Sequence, residues 1–231
     1  MSTTALSCGN AGHPGLPGDH GARWADVPAE PGRQDVDPLL PERGRVVVHG
    51  TDADLAAVVL RLLRKERLAT VGVGYAPVTA SPAAELWGLP VGAAGLERAL
   101  TAQLRPVPLV RDDTGGVVVG RGEVPAITGQ VYCDDQRVLN GPARRLRVWP
   151  DPDAGPVPTP AADPLAVEVE PAEDGIVVSA QRRLRRASTA RGRAVQASFE
   201  TATVLRDGVA QPRPLDRSSW YRHTEDLLLA R

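Results

Sequence analysis

The sequence predicts an α/β domain followed by an all-β one, namely a small parallel-sheet βαβ unit and then an antiparallel β-sandwich. Three observations predict it. Between Arg45 and Arg111, short apolar triplets alternate with segments of helical period. After Arg111, every periodic segment is short, and several alternate apolar and polar residues. Asp-Gly pairs and prolines then separate those segments, as hairpins require.

Residues 1–44 are rich in Gly, Pro, Ala and Asp without a period that would bury a face, so they read as a disordered tail. Gly9, Gly12, Gly15, Gly18 and Gly21 fall three apart in GNAGHPGLPGDHG, a run too short for a collagen triple helix. The α/β domain spans residues 45–112. Val46, Val47 and Val48 make a buried-strand candidate between Gly44 and Gly50. Leu55, Val58, Val59, Leu62 and Leu63 then form one helical stripe. A second strand covers Thr70 to Tyr75, and Ala93, Leu96, Leu100 and Leu104 share the face of a second long helix. Strand and helix in alternation point to parallel pairing with right-handed crossovers.

The β domain spans 113–231. Its strand candidates are Val117 to Gly120, Gln130 to Cys133, Ala143 to Trp149, Leu165 to Glu170 and Ile176 to Ala180. Arg145 and Arg147 alternate with Leu146 and Val148, as one wet face requires. Asp174-Gly175 and Asp207-Gly208 read as hairpin turns, because Asp-Gly accepts positive φ. The loop 150–164 contains six prolines and reads as extended.

Composition excludes several functions. The 231 residues carry a formal net charge of -1, which offers no global field to nucleic acid or to an anionic membrane. Aromatics at 3% are too few for base-stacking platforms. Arginine supplies almost all cations, Lys65 being the only lysine, which reads as the mark of a GC-rich genome. Cys8 and Cys133 do not make a disulfide framework, and no apolar run spans a membrane, so a cytoplasmic location is expected. His13, His20, His49 and His223 are scattered without zinc spacing, and no metal site is expected.

The turn GTDADL between the first strand and its helix has two readings. A strand that delivers a glycine-bearing turn to a helix N-terminus is the architecture in which backbone N–H groups hold phosphate. Thr51 followed three residues later by Asp54 equally fits a capping box, with Thr51 as N-cap.

The order GTDADL, VGVGYAPVTASPAAELWGLP, GLERALTAQLRPVPLVR and LRDGV resembles the diacylglycerol kinase family of lipid kinases, which is related to NAD kinases. The family's GGDGTL turn falls on Gly50, Thr51, Asp52, Ala53, Asp54 and Leu55, of which Gly50, Asp52 and Leu55 agree. Its GTGNDFA loop falls on Val78 to Ala84, where Thr79 and Ala84 agree, and its DGE falls on Asp207, Gly208 and Val209, with the Glu lost. The resemblance implies an α/β nucleotide-binding domain followed by a β-sandwich, ATP with magnesium as cofactors of an active enzyme, and Asp207 with Asp52 as catalytic residues. It further implies that Gly50, Thr51, Asp52, Ala53, Asp54, Thr79 and Ser81 line the cofactor site.

The departures concentrate where the chemistry belongs. A carboxylate at Asp54 about 4 Å from a phosphate charge is repelled by about 4 kcal/mol at an effective dielectric near 20. A bridging magnesium on Asp52 and Asp54 would reverse that sign. Ala53 in place of glycine would be strained if its position were left-handed. The family's β/α units before the turn fall in the tail, so the chain reads as N-terminally shortened, with an exposed sheet edge open to homodimerisation. The expected function is a diacylglycerol kinase-like protein with weak or no lipid phosphorylation and a binding or scaffold role toward a lipid, a nucleotide-like ligand or another subunit. The alternative is an active ATP-dependent lipid kinase.

Two further constellations have structural readings. Gln181 to Arg193 carries six arginines, with Arg185, Arg186 and Ser188 fitting a basophilic phosphorylation pattern, and reads as a solvated hairpin loop. Ser218, Ser219, His223, Glu225 and Asp226 cluster in sequence without a nucleophile elbow and read as a last strand with Trp220 and Tyr221 packing.

Overall fold

The computed structural model describes residues 2–9, 11, 21–154, 165–171 and 188–231. The first half runs β1 (Thr3–Cys8), β2 (Arg23–Val27), α1 (Arg33–Val36), β3 (Gly44–Gly50), α2 (Asp52–Arg64), β4 (Val71–Pro77), α3 (Pro82–Leu86), α4 (Gly92–Thr101) and β5 (Leu104–Val107). The second half adds β6 (Val110–Asp112), β7 (Val117–Val118), β8 (Gly122–Cys133), β9 (Gln136–Pro150), β10 (Leu165–Pro171), β11 (Ser188–Gly192), β12 (Ala194–Ala202), β13 (Leu205–Arg206), β14 (Val209–Ala210), β15 (Leu215–Arg222) and β16 (Leu227–Ala230). The architecture is the expected α/β unit plus antiparallel β unit.

Among the described residues, the first sheet has six strands in the order β2-β1-β3-β4-β16-β5. All neighbours pair in parallel except β16 and β5. Strand β3 is apolar on both faces because both are covered. Val46 and Val48 pack with Leu55, Val58, Val59 and Leu62 of α2, whereas Val47 faces Leu96, Ala99 and Leu100 of α4. Burying a Val or Leu side chain fully contributes about 1.5 to 3 kcal/mol, so these two layers hold the sheet. The predicted stripe of α2 is therefore its core face. That of α4 is shifted, since Gly95, Leu96, Ala99 and Leu100 are buried while Ala93 is exposed and Leu104 belongs to β5.

Among the described residues the second sheet has ten strands, in the order β11-β10-β9-β8-β12-β15-β6-β7, with β13 paired to β8 and β14 to β13. It curls around Val124, Ile127, Leu146, Val148, Val195 and Trp220. The Asp207-Gly208 turn is as expected, with φ of +49° and +86° between β13 and β14.

Four expectations are corrected. Residues 1–44 are not a featureless tail: β1 pairs in parallel with both β2 and β3, and Ala5 and Leu6 are fully buried. The expected loss of sheet before β3 does not hold either, because two parallel strands precede it. A central parallel strand buried on both faces shows no alternation, so TTALSC carried no period. Next, the 113–231 segment does not stay within the β unit. Its last strand, β16, returns to insert between β4 and β5. Finally, the strand expected over Val117 to Gly120 is only two residues long, and the N–H groups of Val119 and Gly120 turn to Asp207 instead. Asp174-Gly175, Ile176 to Ala180, most of the glycine run and most of the loop 150–164 lie outside the described residues.

Candidate functional site

The β3–α2 turn is closed by its own side chains. Thr51 is the N-cap, its Oγ1 accepting from the Asp54 N–H at 3.3 Å. Asp54, 2% exposed, reaches back. Its Oδ2 accepts from the Thr51 N–H and hydroxyl, each at 2.8 Å, and its Oδ1 accepts from the Glu30 N–H at 2.7 Å. Gly50 must lack a side chain, because a Cβ there would lie 2.5 Å from Asp54 Oδ2 and 3.0 Å from Cys8 Cβ. Burial, with the Asp54 charge adding to it, pushes the Cys8 thiol up to about 12, so it stays protonated. Ala53 lies inside α2 with ordinary helical backbone, and the strain of a left-handed alanine does not arise.

Asp52, the first residue of α2, points the other way. It is 4% exposed, and its Oδ1 accepts from the Tyr75 hydroxyl at 2.8 Å and the Ser81 hydroxyl at 2.6 Å. Its Oδ2 accepts from the Ala83 N–H at 2.9 Å. Ser81 in turn caps α3 by accepting from the Ala84 N–H. Burial first, and then the charge of Asp52, holds the Tyr75 phenol well above its ordinary value, so it remains a donor.

Asp207 approaches from the β unit. Its Oδ1 accepts from the N–H groups of Gly120 and Arg121, each at 2.8 Å, and its Oδ2 from that of Val119 at 3.0 Å. Burial pushes its carboxyl up to about 7 against the pull of these three donors, and the Asp52 charge adds to the rise. The two aspartates meet at Gly120, where a Cβ would lie 2.8 Å from the Ala83 nitrogen and 3.1 Å from Asp52 Oδ2. Gly120 is thus a point of close approach between the two halves of the chain.

Two hollows flank this junction. One, with a volume of about 330 Å³, lies between Ala53, Ala56 and Leu60 of α2, the Glu30–Arg33 segment, and Arg206 with Val209 of the β13–β14 hairpin. Its arginines are held from beside it: Arg61 by Asp37 at 2.7 and 2.9 Å, and Arg206 by Asp112. The Arg61 hydrogen bond keeps the Asp37 carboxyl below its usual range. The other hollow, of about 260 Å³, lies between α3 and the β8–β9–β10 face.

The structure therefore brings Gly50, Thr51, Asp52, Ala53, Asp54, Ser81 and Asp207 into one neighbourhood. Thr79 sits exposed on the bend after β4. Sequence reasoning missed Tyr75, Glu30, Cys8 and the Val119–Arg121 N–H groups. Tyr75 was visible only as a strand residue, Glu30 and Cys8 lay in the presumed tail, and backbone donors leave no mark in a sequence. Magnesium does not fit here: each of the three carboxylates faces N–H or hydroxyl donors on both oxygens. Among the described residues no three His, Cys, Asp or Glu side chains cluster as metal ligands.

The remaining candidates have structural roles. Ser218 and Trp220 are buried in β15, the His223 N–H bonds to the Leu109 carbonyl, and Asp226 pairs with Arg222 at 2.8 Å. Gln181 to Ala187 lie outside the described residues, while Arg191 pairs with Asp151 at 2.7 Å. Among the described residues no helix is long and apolar enough to cross a membrane.

No protein-family profile and no curated protein sequence matches the chain. Solved structures do. A diacylglycerol kinase structure from Bacillus anthracis str. Sterne superposes with a TM-score of 0.69 at 10% identity, over 99% of this chain and 96% of that one. An NAD kinase from Archaeoglobus fulgidus in complex with ATP gives 0.55 at 13% identity, over 99% and 93%. Yeast NADH kinase complexed with NADH gives 0.53 at 9% identity, over 99% and 83%. At these identities the likeness speaks for architecture, and the chain has the fold shared by diacylglycerol kinase-like proteins and NAD kinases.

Proposed function

We propose that this protein is a kinase-fold protein that does not transfer phosphate and acts by binding, with a ligand or partner held at the junction of its two halves. The observation that supports this reading is the state of the three aspartates. Phosphoryl transfer needs positioned donors for the phosphates and a base with a free lone pair beside the accepting hydroxyl. Here the Thr51 and Glu30 N–H groups that face the turn already hold the Asp54 carboxylate. The base position is closed to a substrate hydroxyl, since Asp207 is 8% exposed and accepts three backbone N–H groups.

The active-kinase reading has one observation in its favour: Asp207, pushed up to about 7, has the proton affinity a general base wants at neutral pH. To serve as one it must be reached by the accepting hydroxyl, and at 8% exposure that requires the contact at Gly120 to open.

The test is a phosphotransfer assay on the full chain, with ATP, magnesium and diacylglycerol in mixed micelles. We expect no phosphorylated lipid above the level given by Asp207→Asn, and no rise in melting temperature on adding ATP and magnesium. Lipid phosphorylation that disappears in Asp207→Asn would overturn the proposal.

A further inference from the structure

The larger hollow has an apolar floor and a rim whose free charges the aspartate junction does not use. Helix α2 carries two stripes. Leu55, Val58, Val59 and Leu62 face the sheet, whereas Ala53, Ala56, Ala57 and Leu60, again at i, i+3, i+4 and i+7, lie on the other side and floor the hollow. Three of those four side chains are single methyl groups, so the helix surface sinks between Pro31 and Gly32 on one bank and Val117 and Val209 on the other. Its volume of about 330 Å³ stands at the small end of ligand-sized cavities, which begin at about 300 Å³.

Among the described residues four charged side chains line it: Glu30, Arg33, Arg61 and Arg206. Two of them are neutralised from behind. Asp37 holds Arg61 with both oxygens at 2.7 and 2.9 Å, and Asp112 Oδ2 holds Arg206 Nε and Nη2 at 2.7 and 2.6 Å. The other two stand on one bank, in the Glu30–Arg33 segment. The Glu30 carboxylate has no ion pair or hydrogen bond among the described residues, and only the Glu30 backbone N–H is used, by Asp54. Arg33, with a side chain 78% exposed, reaches Asp37 at 3.6 Å, but Arg61 and Lys65 already occupy that carboxylate at shorter distances. The neighbouring Asp35 does not line the hollow and is spent on the Gly32 N–H at 2.9 Å. Glu30 and Arg33 do not pair with each other. The bank therefore presents an open carboxylate and a weakly held guanidinium above an aliphatic floor.

We infer that this hollow is a binding site for a small zwitterion with an aliphatic tail, the chemistry of an aliphatic α-amino acid, its ammonium on Glu30, its carboxylate on Arg33 and its tail over Ala53, Ala57 and Leu60. An acid of the same shape is set against the Glu30 charge, and an amine against the guanidinium groups. The zwitterion answers both with charge-assisted hydrogen bonds. The site rests on the proposed binding role at the junction and names what is bound there.

The experiment is an amide NMR titration of the full chain with L-leucine, compared with 4-methylpentanoate, which lacks the ammonium group, and 3-methylbutylamine, which lacks the carboxylate. We expect saturable shifts at the Gly32, Ala53, Ala57 and Val209 amides, with both analogues binding at least tenfold more weakly. Glu30→Gln, at an exposed side chain, should weaken leucine binding by about tenfold without moving the melting temperature. Ala57→Phe, which fills the floor, should abolish it. No saturable shift up to the solubility of leucine, either analogue binding as tightly as leucine, or binding unchanged in either variant would each overturn the site. Lipid phosphorylation detected alongside leucine binding would defeat the proposed function and leave the zwitterion site standing. Absence of both would defeat this inference alone.

Discussion

The turn at Asp52 and the hairpin tip at Asp207 each bury a carboxylate at the same glycine, but different kinds of donor hold them. Asp52 opens a thirteen-residue helix and takes two of its three hydrogen bonds from hydroxyls, on Tyr75 and Ser81. Asp207 sits in left-handed backbone at φ +49° and takes all three from main-chain N–H groups of one short segment. Hydroxyls can rotate to other acceptors when a carboxylate is lost, whereas backbone donors cannot. The difference teaches that the helix turn tolerates change locally, while the hairpin tip fixes the junction between the two halves.

The largest expected effect tests that difference directly. Asp207→Ala orphans three N–H groups, and each unsatisfied buried donor costs about 1 to 3 kcal/mol, so a loss of about 3 kcal/mol or more is expected in urea unfolding. Asp52→Ala orphans one backbone donor, that of Ala83, and should cost about 1 to 3 kcal/mol. Equal losses in the two variants would break the comparison.

A pH titration sharpens it. The folded Asp207 carboxyl lies at about 7, above its ordinary 3.8. Between those values the native state binds more protons than the unfolded one. The stability from this group is therefore complete below pH about 4 and is lost as pH rises toward 7, with a slope of at most about 1.4 kcal/mol per unit. Asp37, held low by Arg61 and Lys65, contributes in the opposite sense, its share being lost as pH falls through the acid range. Subtracting the urea midpoints of Asp207→Asn from those of the wild type between pH 4 and 7 isolates the Asp207 slope. A flat difference would show that the three N–H donors outweigh burial.

The same contrast explains what was legible in the sequence. The Thr51–Asp54 cap spans three residues and follows from local spacing alone, and the Asp207-Gly208 turn was visible for the same reason. That Asp207 bonds to Val119 and Gly120 was not, because those partners lie more than eighty residues away. Strand β1 was missed because TTALSC, buried in the middle of a parallel sheet, lacks the alternation of a half-wet strand and sits beside a Gly/Pro-rich run. Leu227 to Ala230 fell within the bounds of the β domain, since nothing in LLLA states which sheet it joins. The two hollows were equally invisible, being built from α2, α3 and strands that only the fold brings together.

A smaller effect is expected where the two turns touch. Gly120→Ala places a methyl group 2.8 Å from the Ala83 nitrogen and 3.1 Å from Asp52 Oδ2, both held in place by hydrogen bonds. Overpacking of this kind costs about 1 to 3 kcal/mol. If the junction gives way rather than the local backbone, hydrogen exchange should quicken at the Val119, Gly120 and Arg121 amides while α2 stays protected. Uniform protection across all of them would place the strain elsewhere.

The smallest effect belongs to the helix cap. Losing a threonine N-cap costs about 1 kcal/mol, with a range of about 0.5 to 2. Thr51→Ala should fall at the low end, because Asp54 keeps the N–H groups of residue 51 and Glu30 after the hydroxyl is gone. Asp54→Ala should cost more, since it releases both of those donors and ends the tie between the Glu30 segment and α2. Thermal unfolding of the two single variants and the double variant closes the cycle. Coupling near zero would mean that Asp54 holds the turn by itself, and strong coupling would mean that the hydroxyl orients it.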